Sequence, residues 1–299
     1  MALIAVNATD AAIPPHLAAR AATLPPDAPI VVMVHGFRFS PSLPSACPHH
    51  DILSLVPMAG ARHAVSWPRG LGFSADGDEG LAVGFGWEAR GSLRRAYRQA
   101  AQAGQDLATL VTLLATAARR PVAIIAHSLE ARVALSALAS VAPGVIGRVV
   151  LLAAAEFRDR AEAAAASPAG ILAEIVNVTS RENDLYDLAL EVMLRGGLGR
   201  AVGQGLSRRR DNWVDVQIDD ADTITGLAQI GFSIGTTAHR ICHWSPYMRD
   251  GVFDLYRAIL CTNRPLSLIQ LRQAADGHSS RRWSRLLEWP HSPGSFGRA

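Results

Sequence analysis

Ser128 stands where an apolar run stops and an amphipathic one begins, in Ile124-Ile125-Ala126-His127-Ser128-Leu129-Glu130-Ala131-Arg132-Val133-Ala134-Leu135. A serine hydroxyl is a poor nucleophile until an imidazole takes its proton and an acid fixes the tautomer of that imidazole. Candidates for both lie further along. Val176-Asn177-Val178-Thr179-Ser180-Arg181-Glu182-Asn183-Asp184 leads from an apolar stretch into a polar turn, where Asp184 is the expected acid and Glu182 the alternative. His243 is the expected base, because Ser245-Pro246 just after it supplies a helix N-cap and a first helical residue. His239 is the alternative base. His127 is expected to pack, since neighbouring side chains on a strand point to opposite faces.

A buried strand ending at a serine, with a helix starting at once, reads as a nucleophile elbow. The helix N-terminus would favour the negative charge that develops during acyl transfer. Serine is also a favoured helix N-cap, so this context is what singles out Ser128. With Ala126-His127-Ser128-Leu129 at its centre, the chain resembles the α/β-hydrolase superfamily, whose elbow reads small-x-Ser-x-Gly. The resemblance implies a mainly parallel sheet flanked by helices and the chain order Ser128, Asp184, His243. It also implies an oxyanion hole from the Phe37 and Leu129 backbone N–H groups, Phe37 following the His35-Gly36 turn. Glu130 departs from the pattern, occupying the place of the second glycine. It is expected to swing away from Ser128 and bond an arginine or solvent. Together with the Ser-Trp-Pro turn at 66–68 and Cys242-His243-Trp244, these motifs resemble bacterial α/β-hydrolases of unassigned substrate over most of residues 28–262.

Short apolar runs alternating with longer helical patterns are what must position these residues. Strands are expected at 30–34, 62–67, 121–126, 148–153, 173–178 and 213–218, and helices at 92–118, 129–141 and 246–260. Residues 1–27 read as a lead-in, 28–262 as the hydrolase domain and 263–299 as a C-terminal helix and tail. The glycine-containing stretch 185–212 is long for a connection in a compact domain, so a small cap or lid is expected there.

Composition narrows the function. The 299 residues carry a net charge of +3, and all 29 basic residues are arginine. These arginines are scattered instead of gathered on one stripe among aromatics, which argues against nucleic acid. Cys47, Cys242 and Cys261 form no paired motif, the adjacent His49 and His50 cannot both face one ion comfortably, and Asp51 can cap the apolar run 52–56, so no metal and no cofactor is expected. No signal peptide and no run of about 18 apolar residues is present, which points to the cytoplasm. The expected activity is hydrolysis of small carboxylic esters through an acyl-enzyme. A non-catalytic binding protein of the same fold, or an acyltransferase using the same triad, are the alternatives.

Overall fold

A computed structural model of the chain describes residues 3–8, 10, 13–58, 65–75, 77, 80–236, 239–275 and 280–287. Seven strands, β1 (Leu3–Asn7), β2 (Ile30–Val34), β3 (Leu81–Gly86), β4 (Val122–His127), β5 (Ile146–Leu152), β6 (Glu174–Thr179) and β7 (Trp213–Gln217), form one sheet in the order β1-β3-β2-β4-β5-β6-β7. Every pairing is parallel. The helices are α1 (Pro15–Ala22), α2 (Trp67–Gly70), α3 (Leu93–Ala118), α4 (Glu130–Leu138), α5 (Arg158–Ala165), α6 (Asp184–Arg195), α7 (Ala221–Gln229), α8 (Ser245–Met248), α9 (Val252–Leu260), α10 (Leu268–Ala274) and α11 (Ser284–Leu287).

Alternation along the strands sorts the core into two layers. Val32, Val34, Val83, Ile124, Ala126, Val149 and Leu151 face α1, α3, α4 and α5. Val31, Met33, Ile125, Val150, Val176 and Val178 face α2, α7, α9 and α10. Covered on both sides, the central strands read as continuous apolar runs. The architecture is the expected α/β arrangement, a parallel sheet covered by helices on both faces. Because the strands run one way, their carboxyl ends share an edge: Val34 pairs with Ala126, His127 with Leu152, and Leu152 with Val178. The turns beginning at His35, Ser128 and Ser180 therefore open side by side.

Three expectations change. The strand expected at 62–67 does not form at its end, where Trp67 begins α2; residues 61–64 lie outside the described ones. The missing strand is β3, whose Gly84 and Gly86 resemble turn signals. They are there for close approach: a Cβ on Gly86 would lie 2.7 Å from Pro41 and 2.9 Å from His49 Nε2. The helix expected at 246–260 is two helices, α8 and α9, broken at Gly251 with φ 79°. Residues 3–7 are an edge strand of the sheet and not merely a lead-in. No helix among the described residues is long and apolar enough to cross a membrane.

The 185–212 stretch is α6 followed by a loop pinned to the start of α5. Phe157 and Ala201 form an isolated bridge, and the Arg158 and Val202 amides donate to the Arg200 and Glu156 carbonyls. The polarity of α6 is inverted: Leu185, Tyr186, Val192 and Met193 are exposed, while Asp184, Asp187 and Glu191 point inward. Its acids are used inside the protein.

Candidate active site

Ser128 has φ 61°, in the left-handed region that costs an ordinary L-residue about 1–2 kcal/mol. Such a conformation persists only when its surroundings over-determine it. Here the Ser128 amide donates to the Leu152 carbonyl at 2.9 Å, and its own carbonyl accepts from the Ala131 and Ala155 amides at 3.1 and 2.8 Å. Three backbone bonds to the next strand, the following helix and the loop after β5 thus hold the turn.

The histidine loop is docked onto the turn after β6 by a backbone bond from the Cys242 amide to the Glu182 carbonyl, 3.0 Å. That bond brings the next residue of each segment together. His243 Nδ1 lies 2.6 Å from Asn183 Oδ1, and His243 Nε2 lies 2.7 Å from Ser128 Oγ. An amide oxygen only accepts, so Nδ1 carries the proton, leaving Nε2 to accept from the serine hydroxyl. His127 Nε2 donates to the His243 carbonyl at 2.9 Å, and the Tyr186 ring stacks on the imidazole at 4.6 Å and 20°. Burial, and secondarily the neighbouring His127, hold the His243 pKa well below its ordinary 6.5. The imidazole is neutral and able to take a proton.

The acid expected beside His243 is not there. Asp184 is the first residue of α6 and points the other way, its Oδ2 accepting from the Trp283 amide at 2.6 Å and its Oδ1 3.2 Å from Arg181 Nη1. The backbone pairing of residues 182 and 242 makes Asn183, one position earlier, the neighbour of His243. Glu182 is also elsewhere, buried and paired with Arg249 at 2.6 Å. His239 is exposed. Behind Asn183 lies Asp187, one helical turn on, whose Oδ1 accepts from Asn183 Nδ2 at 2.9 Å. A Ser128–His243–Asn183–Asp187 chain results, and its last two members were missed in the sequence. The spacing of Asn183 and Asp187, four apart on one helix face, is the signal that could have found them.

Among the described residues, neither the Phe37 nor the Leu129 amide meets an acceptor. Both lie three residues beyond a register pair, Val34 and Ala126, on neighbouring strands. They therefore emerge at the same edge, beside Ser128.

Glu130 does not turn outward. It is fully buried, and among the described residues neither carboxyl oxygen meets a donor in good hydrogen-bond geometry. Side chains at a helix start lean back toward the N-terminus, which here carries the carboxyl to the His35-Gly36 turn. A Cβ on Gly36 would lie 3.6 Å from Glu130 Oε1 and 3.5 Å from His127 Nδ1. Burial raises the Glu130 pKa well above its usual 4.5, which favours the neutral acid. His35 Nδ1 is 4.0 Å away, but this is no ion pair. That imidazole accepts from the Trp87 amide at 2.9 Å, and burial lowers its pKa to about 3. The carboxyl lies under the turn, out of solvent.

No protein-family model matches the sequence, and no curated protein matches it. Among solved structures, the chain is similar to lipase B of Aspergillus fumigatus, with a TM-score of 0.41 and 12% identity over 89% of this chain. The chain spans 62% of the length of that lipase.

Proposed function

We propose that this protein is a serine-dependent hydrolase that cleaves carboxylic esters through an acyl-enzyme. The observation that carries the reading is the 2.7 Å approach of a neutral imidazole to the hydroxyl of a serine strained at φ 61°. In the mechanism, His243 Nε2 takes the Ser128 proton as Oγ attacks the ester carbonyl. The resulting imidazolium then gives that proton to the leaving alkoxide. Water, activated by the same imidazole, attacks the acyl-enzyme and returns Ser128 to its starting state. Asn183 serves as third member by keeping the proton of the resting imidazole on Nδ1. The Phe37 and Leu129 amides are suited to receive the oxyanion, and each such donor is worth about a hundredfold or more in rate.

Aromatic side chains surround the imidazole: Tyr186 stacked at 4.6 Å, Trp244 at 6.0 Å and, across His127, Tyr247 at 4.9 Å from that ring. Such walls suit small, uncharged acyl groups. A glutamate that blocked the elbow would favour the non-catalytic alternative, and the burial of the Glu130 carboxyl beneath the His35-Gly36 turn weighs against that. A panel of p-nitrophenyl esters of increasing chain length tests the reading. Turnover by the wild type that is lost in Ser128→Ala is the expected result. Equal rates for the two proteins, or none with any ester, would refute it.

A further inference from the structure

A primary amide is ambiguous where a carboxylate is not. Its oxygen and nitrogen ends are nearly the same size, and only the hydrogen-bond network decides which one faces a given neighbour. The distinction matters at Asn183. With Oδ1 toward His243, the imidazole keeps its proton on Nδ1 and offers Nε2 as a base. With Nδ2 toward His243, the amide would donate to Nδ1 and drive the proton to Nε2. The ring would then present a donor to Ser128 and could not activate it.

We propose that Asp187 is the positioning residue that resolves this ambiguity, its carboxylate accepting from Asn183 Nδ2 and so presenting Oδ1 to His243. The proposal rests on the serine-hydrolase reading and adds a fourth member to it. Its basis is geometric. Asp187 Oδ1 is 2.9 Å from Asn183 Nδ2, and both residues are buried. A flipped amide would bring its oxygen against the carboxylate, losing one charge-assisted bond and gaining a repulsion. The space for the acid is built in. A Cβ on Gly203 would collide with Asp187 Oδ2, and the Gly203 carbonyl is itself held by Arg181 Nη2 at 2.5 Å.

The arrangement also moves negative charge. In the usual triad the acid touches the imidazole. Here the acid sits one amide further back, and its charge polarises the amide, making Oδ1 a better acceptor for the imidazolium formed during turnover.

A side-chain exchange tests the role. Asp187→Asn keeps the shape and can leave an acceptor in place, but it removes the charge and restores the ambiguity. With p-nitrophenyl butyrate as the probe, kcat should fall about 10- to 100-fold, the loss that attends a misplaced catalytic group. KM should change by no more than about twofold, because ground-state binding is untouched. The exchange variant, Asn183→Asp with Asp187→Asn, puts the carboxylate against the imidazole and the amide behind it. It should recover kcat to within about fivefold of wild type, as expected for residues acting as one unit. Nitrogen NMR of His243 should show the Nδ1–H tautomer in wild type and exchange variant, and a mixture in Asp187→Asn. A purely structural acid would give an exchange variant no better than Asp187→Asn, with the tautomer unmoved, and would overturn the proposal. So would an Asp187→Asn enzyme within about twofold of wild type. Should Asp187→Asn fail to fold, the exchange variant decides alone. A wild type that neither turns over the ester nor reacts with a fluorophosphonate at Ser128 would instead bring down the hydrolase reading, and this role with it.

Discussion

Asn183 and His243 meet because their neighbours, Glu182 and Cys242, share a backbone hydrogen bond of 3.0 Å. The side chains then close to 2.6 Å between Oδ1 and Nδ1. Asp184, next along the chain, begins α6 and is committed to Arg181 and to the Trp283 amide. Two adjacent residues thus divide the work, Asn183 facing the imidazole and Asp184 fastening the C-terminal segment.

This division predicts opposite phenotypes. Asn183→Ala should lower kcat about a hundredfold or more, since the imidazole loses the partner that sets its tautomer. Asp184→Asn should leave kcat within about threefold of wild type and lower thermal stability instead. Ester turnover and thermal melts on the two variants check this.

The acid limb of kcat/KM should descend in two steps. Burial raises the Asp187 pKa to about 7, with Asp184 and Glu191 adding to the rise and Arg181 and Arg282 opposing it. As pH falls through that value the carboxylate is protonated, and its bond to Asn183 becomes a neutral one. The neutral acid no longer fixes which end of the amide faces His243, as in Asp187→Asn, so activity should drop about 10- to 100-fold. The second, complete loss belongs to protonation of His243, whose pKa is depressed, and it should fall well below pH 6.5. Asp187→Asn should erase the upper step and keep the lower one. A pH–rate profile of each enzyme reads this directly.

Glu130 should govern stability more than catalysis. Its folded pKa is raised above the ordinary 4.5 by burial. Between 4.5 and that raised value the folded protein binds more protons than the unfolded chain, so stability falls as pH rises through the window. Glu130→Gln has no such proton to hold. Its melting temperature should exceed that of wild type at pH 8, by an amount that shrinks as the pH falls through the window. At pH 4 the two should coincide, with ester turnover within about threefold throughout.

The sheet was legible where strands are buried on both faces, as at β2, β4 and β5, because continuous apolar runs are unambiguous there. It was illegible at β3, whose glycines serve packing against Pro41 and His49 but resemble turn residues. Ser128 and His243 were readable from strand-to-helix and loop-to-helix context. Asn183 was not, since choosing an acid at the third position follows the usual chemistry, while the 2.6 Å contact follows the pairing of two distant turns. Glu130 departs from its expected place for a related reason. Solvent or an arginine is the usual refuge for a carboxylate, but the α4 start packs against the His35-Gly36 turn, and protonation makes its burial tolerable.

Reaction with a fluorophosphonate tests the central claim most directly, because it reports nucleophilicity without requiring the natural substrate. Wild-type protein treated with the reagent and digested should carry one phosphonyl adduct, on the peptide containing Ser128. Labelling should be absent in Ser128→Ala and slowed about a hundredfold or more in a variant lacking the His243 imidazole. An unlabelled wild type, or an adduct that persists in Ser128→Ala, would contradict the account.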